Sequence, residues 1–150
     1  MRALIQRVSK AKVEVDNKIV GEINNGLLIL LGISPNDSEE IAQKLALKIS
    51  KLRIFNDEQG KMNLSVKDIG GSALVISQFT LYANAKKGNR PSYTNAAPPK
   101  IADELYQKFS KLLAKEEILV ENGIFAADMK VELLNDGPVT IFLDSEEMGF

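Results

Sequence analysis

The sequence predicts a mixed α/β fold, in which a mostly antiparallel or barrel-like sheet is covered by two amphipathic helices. Three observations support this prediction. Apolar and polar residues alternate with strand period near both ends of the chain, and two segments carry apolar residues with helical period. The chain has 150 residues, 45% hydrophobic and 26% charged, which is the composition of a globular protein. We expect one domain, residues 1–150.

The first predicted strand runs from Ala3 to Val15, where apolar residues fall mainly on odd positions and polar residues on even ones. This pattern predicts one buried face. Arg7 interrupts the apolar row. Either a bulge turns Arg7 outward or the residue is a paired structural arginine. Alternatively, Arg7 is aimed at a functional site.

Two turns then predict an antiparallel meander of three strands. Asp16-Asn17 forms the first turn, and Asn24-Asn25-Gly26 forms the second, because Asn-Gly between apolar runs favours a hairpin. The third strand, residues 27–33, is apolar at nearly every position. We therefore expect burial on both of its faces, by a helix on one side and by the interior or a partner subunit on the other.

Two amphipathic helices are predicted to cover the sheet. The first begins at Asp37 or Ser38, because Asp37 followed by Glu40 has the form of a capping box. Pro98-Pro99 opens the second. The expected apolar stripes are Ile41, Leu45, Ile49 and Leu52 in the first helix, and Ile101, Leu105, Phe109 and Leu112 in the second.

Polar side chains follow the apolar run of residues 73–76, and buried polar groups need partners or a purpose. The chain has no histidine and no cysteine, so Ser77 and Thr80 lack the usual base for a nucleophile. The Gln78 amide and the Phe79 backbone N–H are candidate oxyanion donors on a rigid strand. The alternative is a buried strand whose side chains are simply satisfied.

A long basic loop follows, from Tyr82 to Tyr93. Loops of this length in a compact domain are usually functional or mobile. Lys86, Lys87 and Arg90 could meet phosphates of a nucleic acid, with Tyr93 against a base. A merely solvated loop explains the same residues equally well.

Strand character returns from Ala126 onward, with residues 135–138 as a tight connection between two strands. The Gly137-Pro138 peptide bond in this connection is a candidate for the cis isomer. The ordinary alternative is a plain turn with a trans proline.

Composition excludes several classes of function. Without cysteine there is no disulfide framework and no thiolate zinc site, and no spaced carboxylate cluster supports another metal. We expect no metal and no cofactor. No signal peptide or membrane span is evident, so we expect a cytoplasmic protein. A net charge of -1 argues against a broad nucleic-acid surface but permits a pocket for a nucleic-acid end.

Two motifs resemble the signature motifs of the D-aminoacyl-tRNA deacylases. The agreement extends to residues 1–8, to residues 87–92 and to the overall length, so it covers essentially the whole chain. Two separate motifs at the expected separation are far more specific than either alone. The motifs are Ser77-Gln78-Phe79-Thr80-Leu81 and Asn135-Asp136-Gly137-Pro138-Val139-Thr140.

The resemblance implies the fold of the D-tyrosyl-tRNA deacylases and a homodimer with its active site at the subunit interface. It implies hydrolysis of the ester between a D-amino acid, or mischarged glycine, and the 3′-terminal adenosine of tRNA. This activity is a chiral proofreading that excludes L-aminoacyl-tRNA. The implied partner is the acceptor end of aminoacyl-tRNA.

The resemblance also implies roles for individual residues. Ser77, Gln78, Phe79 and Thr80 would line the pocket. The Phe79 N–H would stabilise the oxyanion with help from Gln78, and the ribose 2′-hydroxyl of the tRNA would help to activate the attacking water. Because no base is available, we expect Thr80 to position groups and not to attack.

For the second motif, the resemblance implies that Gly137 and Pro138 of one subunit reach into the partner's active site in the cis form. Their backbone carbonyls would reject an L side chain and admit a D one. Arg7 would brace this loop.

Two rival functions stay open at this point. A related type of deacylase removes L-alanine from mismatched tRNA and has a trans Gly-Pro peptide. A non-enzymatic dimer that merely binds tRNA ends or nucleotides would use the basic loop and would not need Gln78. The isomer of the Gly137-Pro138 peptide bond, cis or trans, distinguishes the first rival. Turnover of the ester distinguishes the second.

Overall fold

A computed structural model describes residues 1–150 as eight strands, two α-helices and one 3-10 turn. The predicted class, a mixed α/β fold with a barrel-like sheet and two covering helices, is confirmed. The 3-10 turn is Phe79–Tyr82. The other elements are β1 (Arg2–Val15), β2 (Lys18–Ile23), β3 (Gly26–Gly32), α1 (Glu39–Ser50), β4 (Phe55–Asn56), β5 (Met62–Leu64), β6 (Ser72–Ser77), α2 (Pro99–Ala114), β7 (Leu119–Asn122) and β8 (Lys130–Asp144).

The larger sheet is built on β1, which pairs with other strands along both of its edges. β8 is antiparallel to nearly all of β1, from Arg2 to Glu14. On the other edge, β3 pairs with the first half of β1 and β2 with the second half. Because a strand has only two edges, β2 and β3 lie end to end along the same one.

The predicted three-stranded meander is therefore wrong at its second turn. β2 and β3 do not pair with each other, and Asn25 leads straight from one strand into the next. The reason is the close approach of β6: a Cβ atom at Gly26 would lie 1.9 Å from the Ser72 carbonyl oxygen. Glycine is needed there for contact between backbones, and no hairpin forms.

Two crossovers add parallel strands to the sheet. β6 is parallel to β3, and β7 is parallel to β6. The prediction did not include β7. A Cβ atom at Gly21 of β2 would lie 2.8 Å from the Asn122 carbonyl oxygen of β7, so the two outer strands meet and the sheet curls toward a barrel.

The buried residues of β1 belong to two different cores. Ala3 and Ile5 pack in the core between the sheet and the helices. Ala11 and Val13 belong to a second cluster with residues of β3 and β6. The expected single buried face is wrong, because the pairing of β1 with β8 shifts register between Val8 and residue 10. One extra residue in a strand moves all later side chains to the opposite face.

The burial of β3 on both faces is confirmed, since every residue except Leu30 is buried. In α1, Ser38 is the N-cap, and its hydroxyl accepts a hydrogen bond from the Ile41 N–H at 3.3 Å. Asp37 does not cap the helix. Its carboxylate instead accepts from the Ser34 N–H at 2.7 Å, so the predicted Asp37 capping box is wrong.

The predicted apolar stripe of α2 is confirmed at Phe109 and Leu112, which are buried, and is wrong at Ile101. Ile101 is 42% exposed, whereas Tyr106 and Phe109 are completely buried. Tyr106 donates a hydrogen bond from its hydroxyl to the Val75 carbonyl of β6 at 2.8 Å. This contact ties the helix to the strand that precedes residues 77–80. Neither helix has the length and apolar character that crossing a membrane requires.

Residues 135–138 do not connect two strands, as predicted, but form a loop within the single strand β8. In the pairing of β1 with β8, Gln6 is opposite Thr140 and Val8 is opposite Asn135. A single residue of β1 lies between these two pairs, so residues 136–139 of β8 have no room in the ladder and project from the sheet edge. The Asn135 side-chain amide donates to the backbone carbonyls of Arg7 and Val139, both at 3.0 Å. These bonds fix the base of the loop and let β8 continue beyond it.

Candidate active site

A pocket of about 700 Å³ opens where β6 ends, and Ser77, Gln78 and Phe79 lie in its wall. Hydrophobic residues make up 13 of the 17 that line it, so its walls suit an apolar or aromatic group. The other lining residues include Leu31, Ile33, Ile76, Tyr93, Ala97, Pro98, Phe125 and Met129. Thr80 is exposed and does not line the pocket.

Ser77 is the last residue of β6, as predicted, but Gln78 is the N-cap of the 3-10 turn and Phe79 and Thr80 lie in that turn and not on the strand. β6 pairs with β3 as far as Ser77, and the Gln78 N–H donates to the Leu31 carbonyl at 2.8 Å. The chain then enters the 3-10 turn. This turn packs closely on β3, because a Cβ atom at Gly32 would lie 3.0 Å from the Gln78 carbonyl oxygen. The turn thereby gains a rigid support.

Two backbone donors at the start of the turn have no acceptor in the protein. These are the N–H groups of Phe79 and Thr80, which make no hydrogen bond to any backbone or side-chain atom. The first residues of a helical turn always leave such donors free. The Gln78 amide donates to the Thr80 hydroxyl, which orients both side chains. No lysine or carboxylate bonds to Ser77 or Thr80.

Arg2 supports the same turn from behind, a role that no pattern in the sequence predicted. Its guanidinium donates to the Leu81 carbonyl at 3.0 Å and to the Asp144 carboxylate at 2.7 Å, and it lies 4.5 Å from the centre of the Tyr82 ring. The hydrogen bond with Asp144 raises the pKa of Arg2, and burial raises the pKa of Tyr82. The Arg2 guanidinium therefore stays charged and the Tyr82 side chain stays neutral, which preserves the cation–π contact between them.

The basic loop begins beside the pocket but extends away from it. Asn84 and Ser92 exchange two backbone hydrogen bonds, at 2.8 and 2.9 Å, which close the loop into a hairpin shape. Tyr93 then packs edge-on against Phe79, with ring centres 5.1 Å apart. The predicted tRNA-binding residues Lys86, Lys87 and Arg90 lie exposed on the loop and do not line the pocket.

Arg7 is buried and bonded to backbone carbonyls. It is only 7% exposed, so the prediction that a bulge turns it outward is wrong. Its guanidinium donates to the Asp136 carbonyl at 2.8 Å and to the Ile54 carbonyl at 2.7 Å. Arg7 thus fastens the loop of β8 to the segment after α1. The loop contains the Gly137-Pro138 peptide bond, which is cis.

A single chain does not bring the two motifs together. Ser77 of β6 pairs with Leu31 of β3, which in turn pairs with Ala3 of β1. Gly137 lies beside Arg7, which is four residues further along β1 than Ala3. Three strand spacings separate β6 from β8, which is roughly 14 Å across the sheet, and four residues add about 13 Å along it. Neither Gly137 nor its proline neighbour lines the pocket.

The chemistry open to this site is limited by the groups present. No group of three or more acidic side chains is placed to hold a metal ion. The pocket wall offers the unpaired Phe79 N–H, the Gln78 amide and apolar side chains, and Thr80 lies next to it without lining it. Such a set can bind a carbonyl ester and stabilise negative charge on its oxygen.

Comparisons with known proteins identify the class. Residues 4–144 match the family model described as D-Tyr-tRNA(Tyr) deacylase. The D-aminoacyl-tRNA deacylase of Thermotoga petrophila is 56% identical over 148 residues, 99% of each chain, and that of Fusobacterium nucleatum is 58% identical over 147 residues, 98% of this chain and 97% of the relative. The protein is thus a hydrolase. The chain belongs to the D-aminoacyl-tRNA deacylase family.

Two solved structures have the same fold. One, titled "c-Myc DNA Unwinding Element Binding Protein", is 40% identical with a TM-score of 0.90, and the match covers 96% of this chain and 98% of the other. The second is titled as a probable eukaryotic D-amino acid tRNA deacylase. It has a TM-score of 0.80 at 16% identity over 95% of this chain and 97% of the other, and it supports the fold alone.

The contacts of Arg7 lead to a stability prediction. Arg7→Ala should lower the free energy of unfolding by about 2–3 kcal/mol, because two charge-assisted hydrogen bonds are lost and two carbonyls lose their donor. Urea denaturation measures the change. The matched control is Lys12→Ala, which removes a half-buried cation paired with Glu132 at 3.2 Å and should cost much less than Arg7→Ala. Equal losses in both variants would contradict a bracing role for Arg7.

Proposed function

We propose that the protein hydrolyses the ester between a D-amino acid, or mischarged glycine, and the 3′-terminal adenosine of tRNA. Membership of the deacylase family supports aminoacyl-tRNA as the partner. The observation that carries the finer proposal is the free Phe79 N–H at a pocket without a nucleophile and base pair. We place the reaction in the cytoplasm, where aminoacyl-tRNA is used.

The Phe79 N–H and the Gln78 amide serve as the oxyanion donors. When water attacks the ester carbonyl, negative charge develops on its oxygen, and preorganised donors stabilise that charge without rearranging. The Phe79 donor is preorganised because the 3-10 turn rests on Gly32 and is held by Arg2. The ribose 2′-hydroxyl of the tRNA assists the attacking water, since the protein supplies no base at this point.

The apolar walls of the pocket accommodate the terminal adenosine. A purine ring has two flat faces and needs few polar partners, which fits a cavity of about 700 Å³ lined mainly by hydrophobic residues. Tyr93, packed against Phe79, offers an aromatic edge at the same pocket. The ester would then lie beside residues 77–79. Ser77 and Thr80 orient groups at that end and form no covalent bond with the substrate.

A homodimer completes the site. The Gly137-Pro138 loop projects from the sheet edge and lies roughly 14 Å across the sheet from Ser77 in the same chain, too far to act on one ester. A second copy can bring its own loop to the pocket. The exposed apolar side chains of Phe142, 47% exposed, and Leu134, 54% exposed, on the same strand offer surface for that contact.

In this dimer, the backbone of residues 137 and 138 selects the stereochemistry. A carbonyl group held close to the α-carbon of the substrate leaves room for hydrogen but not for a side chain on that side. An L-amino acid is excluded, whereas a D-amino acid points its side chain away. Glycine has no side chain and passes the same filter. Arg7 holds the loop in place through the Asp136 carbonyl.

Stereochemical selectivity is the first test. Purified protein should hydrolyse D-tyrosyl-tRNA and glycyl-tRNA. It should hydrolyse L-tyrosyl-tRNA at least about 100-fold more slowly, because steric exclusion of the L side chain is worth at least this much. Loss of labelled amino acid from matched tRNA measures all three rates. Equal rates on the D and L esters, or none on any ester, would refute the proposal. Preference for L-alanyl-tRNA would support the rival deacylase type.

The roles of two side chains can be separated by substitution. Gln78→Ala should lower kcat on D-tyrosyl-tRNA by about 10–100-fold, because an oxyanion donor is lost. Thr80→Ala should keep most of the activity, because Thr80 only positions groups. Single-turnover rates at saturating enzyme measure both. A complete loss of turnover in Thr80→Ala, with folding and tRNA binding unchanged, would instead identify it as a nucleophile.

If each site combines the pocket of one subunit with the loop of the other, dimers of two different chains should hydrolyse an ester that neither chain hydrolyses efficiently alone. Gly137→Ala should disturb the loop, since its Cβ atom would lie 2.8 Å from the Val139 side chain at a φ of 138°, and should admit L-tyrosyl-tRNA. A chain with both Gln78→Ala and Gly137→Ala should on its own be about 10–100-fold slower than Gly137→Ala, because every site then lacks the Gln78 donor. After refolding with an equal amount of wild-type chain, about a quarter of the sites should combine wild-type Gln78 with a disturbed loop.

Hydrolysis of L-tyrosyl-tRNA in that mixture should therefore be well above the rate of either the wild type or the double variant alone. The matched control is wild type refolded with Gln78→Ala alone, which should stay selective for the D ester. Gly137→Ala by itself establishes that a disturbed loop admits the L ester. If the double variant mixed with wild type remains selective while Gly137→Ala does not, the loop acts within its own chain and the shared site is refuted.

A further inference from the structure

A second, basic groove lies at the end of α1, away from the pocket. It has a volume of about 540 Å³, and four of its seven lining residues are cations: Lys44, Lys48, Lys51 and Arg53. No aspartate or glutamate lines it. The chain as a whole has a net charge of -1, so this is a local concentration of positive charge on a nearly neutral protein.

Most of this charge is not neutralised within the protein. Lys44 forms an ion pair with Glu40 at 2.7 Å. Lys48, Lys51 and Arg53 have no carboxylate within 4.0 Å. The negative end of the helix dipole favours lysines at the end of α1, but Arg53 lies beyond the helix.

Arg53 is oriented without being neutralised. Its guanidinium donates to the Asn63 carbonyl at 3.0 Å and to the Asn63 side-chain oxygen at 2.9 Å. Both acceptors are uncharged. The guanidinium is therefore fixed in direction and retains its full charge for an anionic partner.

The groove is connected to the loop of β8 through a single side chain. Ile54, the residue after Arg53, accepts a hydrogen bond from Arg7 at 2.7 Å, and Arg7 also donates to the Asp136 carbonyl at 2.8 Å. Arg53, the last cation of the groove in the chain, is thus one residue away from the backbone carbonyl to which Arg7 ties the Gly137-Pro138 loop. In the proposed dimer, the groove of one subunit is next to the loop that this subunit inserts into the partner's pocket.

We propose that this groove binds the phosphate backbone of the acceptor stem of the tRNA whose end occupies the partner's pocket. The inference rests on the proposed function. Lys44 and Lys51 are seven residues apart on one helix, which is about 10 Å. One strand of duplex DNA presents a phosphate about every 3.4 Å of its axis, and the A-form stem of tRNA is somewhat more compact along its axis, so the row spans about three or four phosphates. Contacts of this kind do not read base sequence.

Removal of two of the lysines tests the groove. Lys48→Gln/Lys51→Gln should raise the Kd for uncharged tRNA about tenfold at low salt and reduce the slope of log Kd against log salt by about 2, because each phosphate contact contributes about 1. The KM for D-tyrosyl-tRNA should rise in parallel. The kcat, and the KM for D-tyrosyl adenosine ester, which has no stem, should stay unchanged.

The matched control is Lys111→Gln/Lys115→Gln. These residues occupy the same positions in α2, the last turn and the C-cap, but lie outside the groove. The control should leave the Kd and its salt slope at wild-type values. Equal shifts in both variants, no shift in either, or an equal rise in KM for the adenosine ester would overturn the proposal. If the wild type hydrolyses neither ester, the proposed function fails, while the Kd comparison still decides whether the groove binds tRNA.

Discussion

The structure depends on the pairing of β1 along both of its edges. One strand of fourteen residues holds β2 and β3 on one side and β8 on the other, so its register sets the positions of three other strands at once. The irregularity between Val8 and residue 10 lets the same strand contribute to two cores. The loop of β8 and the burial of Arg7 occur beside that irregularity, where the ladder is interrupted.

The site contrasts with the usual arrangement of hydrolases, in which a side-chain nucleophile and its base do the chemistry. Here the groups at the pocket are backbone N–H donors and an amide that bonds a hydroxyl. Backbone donors are held by the fold and do not titrate. The elements that fix them are Gly32 under the 3-10 turn and Arg2 behind it. In the proposed mechanism, the substrate supplies the remaining hydroxyl.

Selection of the D-amino acid would also depend on backbone groups that are held by the fold. If carbonyls of residues 137 and 138 exclude an L side chain, the selectivity depends on the position of the loop more than on any functional side chain. Two residues determine that position: Asn135 closes the base of the loop, and Arg7 holds its Asp136 carbonyl. Arg7 lies on the interior strand β1 and Asn135 on β8, and neither lines the pocket. Arg7 also extends this connection to the segment that carries Arg53.

The sequence by itself determined the fold class, the two helices and the motifs at residues 77–81 and 135–140, because these depend on local periodicity and on residue types. It could not determine that β2 and β3 share one edge of β1, since an Asn-Asn-Gly turn permits both a hairpin and a continuation, and only the approach of Ser72 to Gly26 decides between them. It could not link Arg2 to Leu81, or Arg7 to Ile54, because these contacts join residues far apart in the chain. The separation of Ser77 from Gly137 across three strand spacings is likewise a property of the tertiary structure, and it is the reason that one chain does not bring the two motifs together.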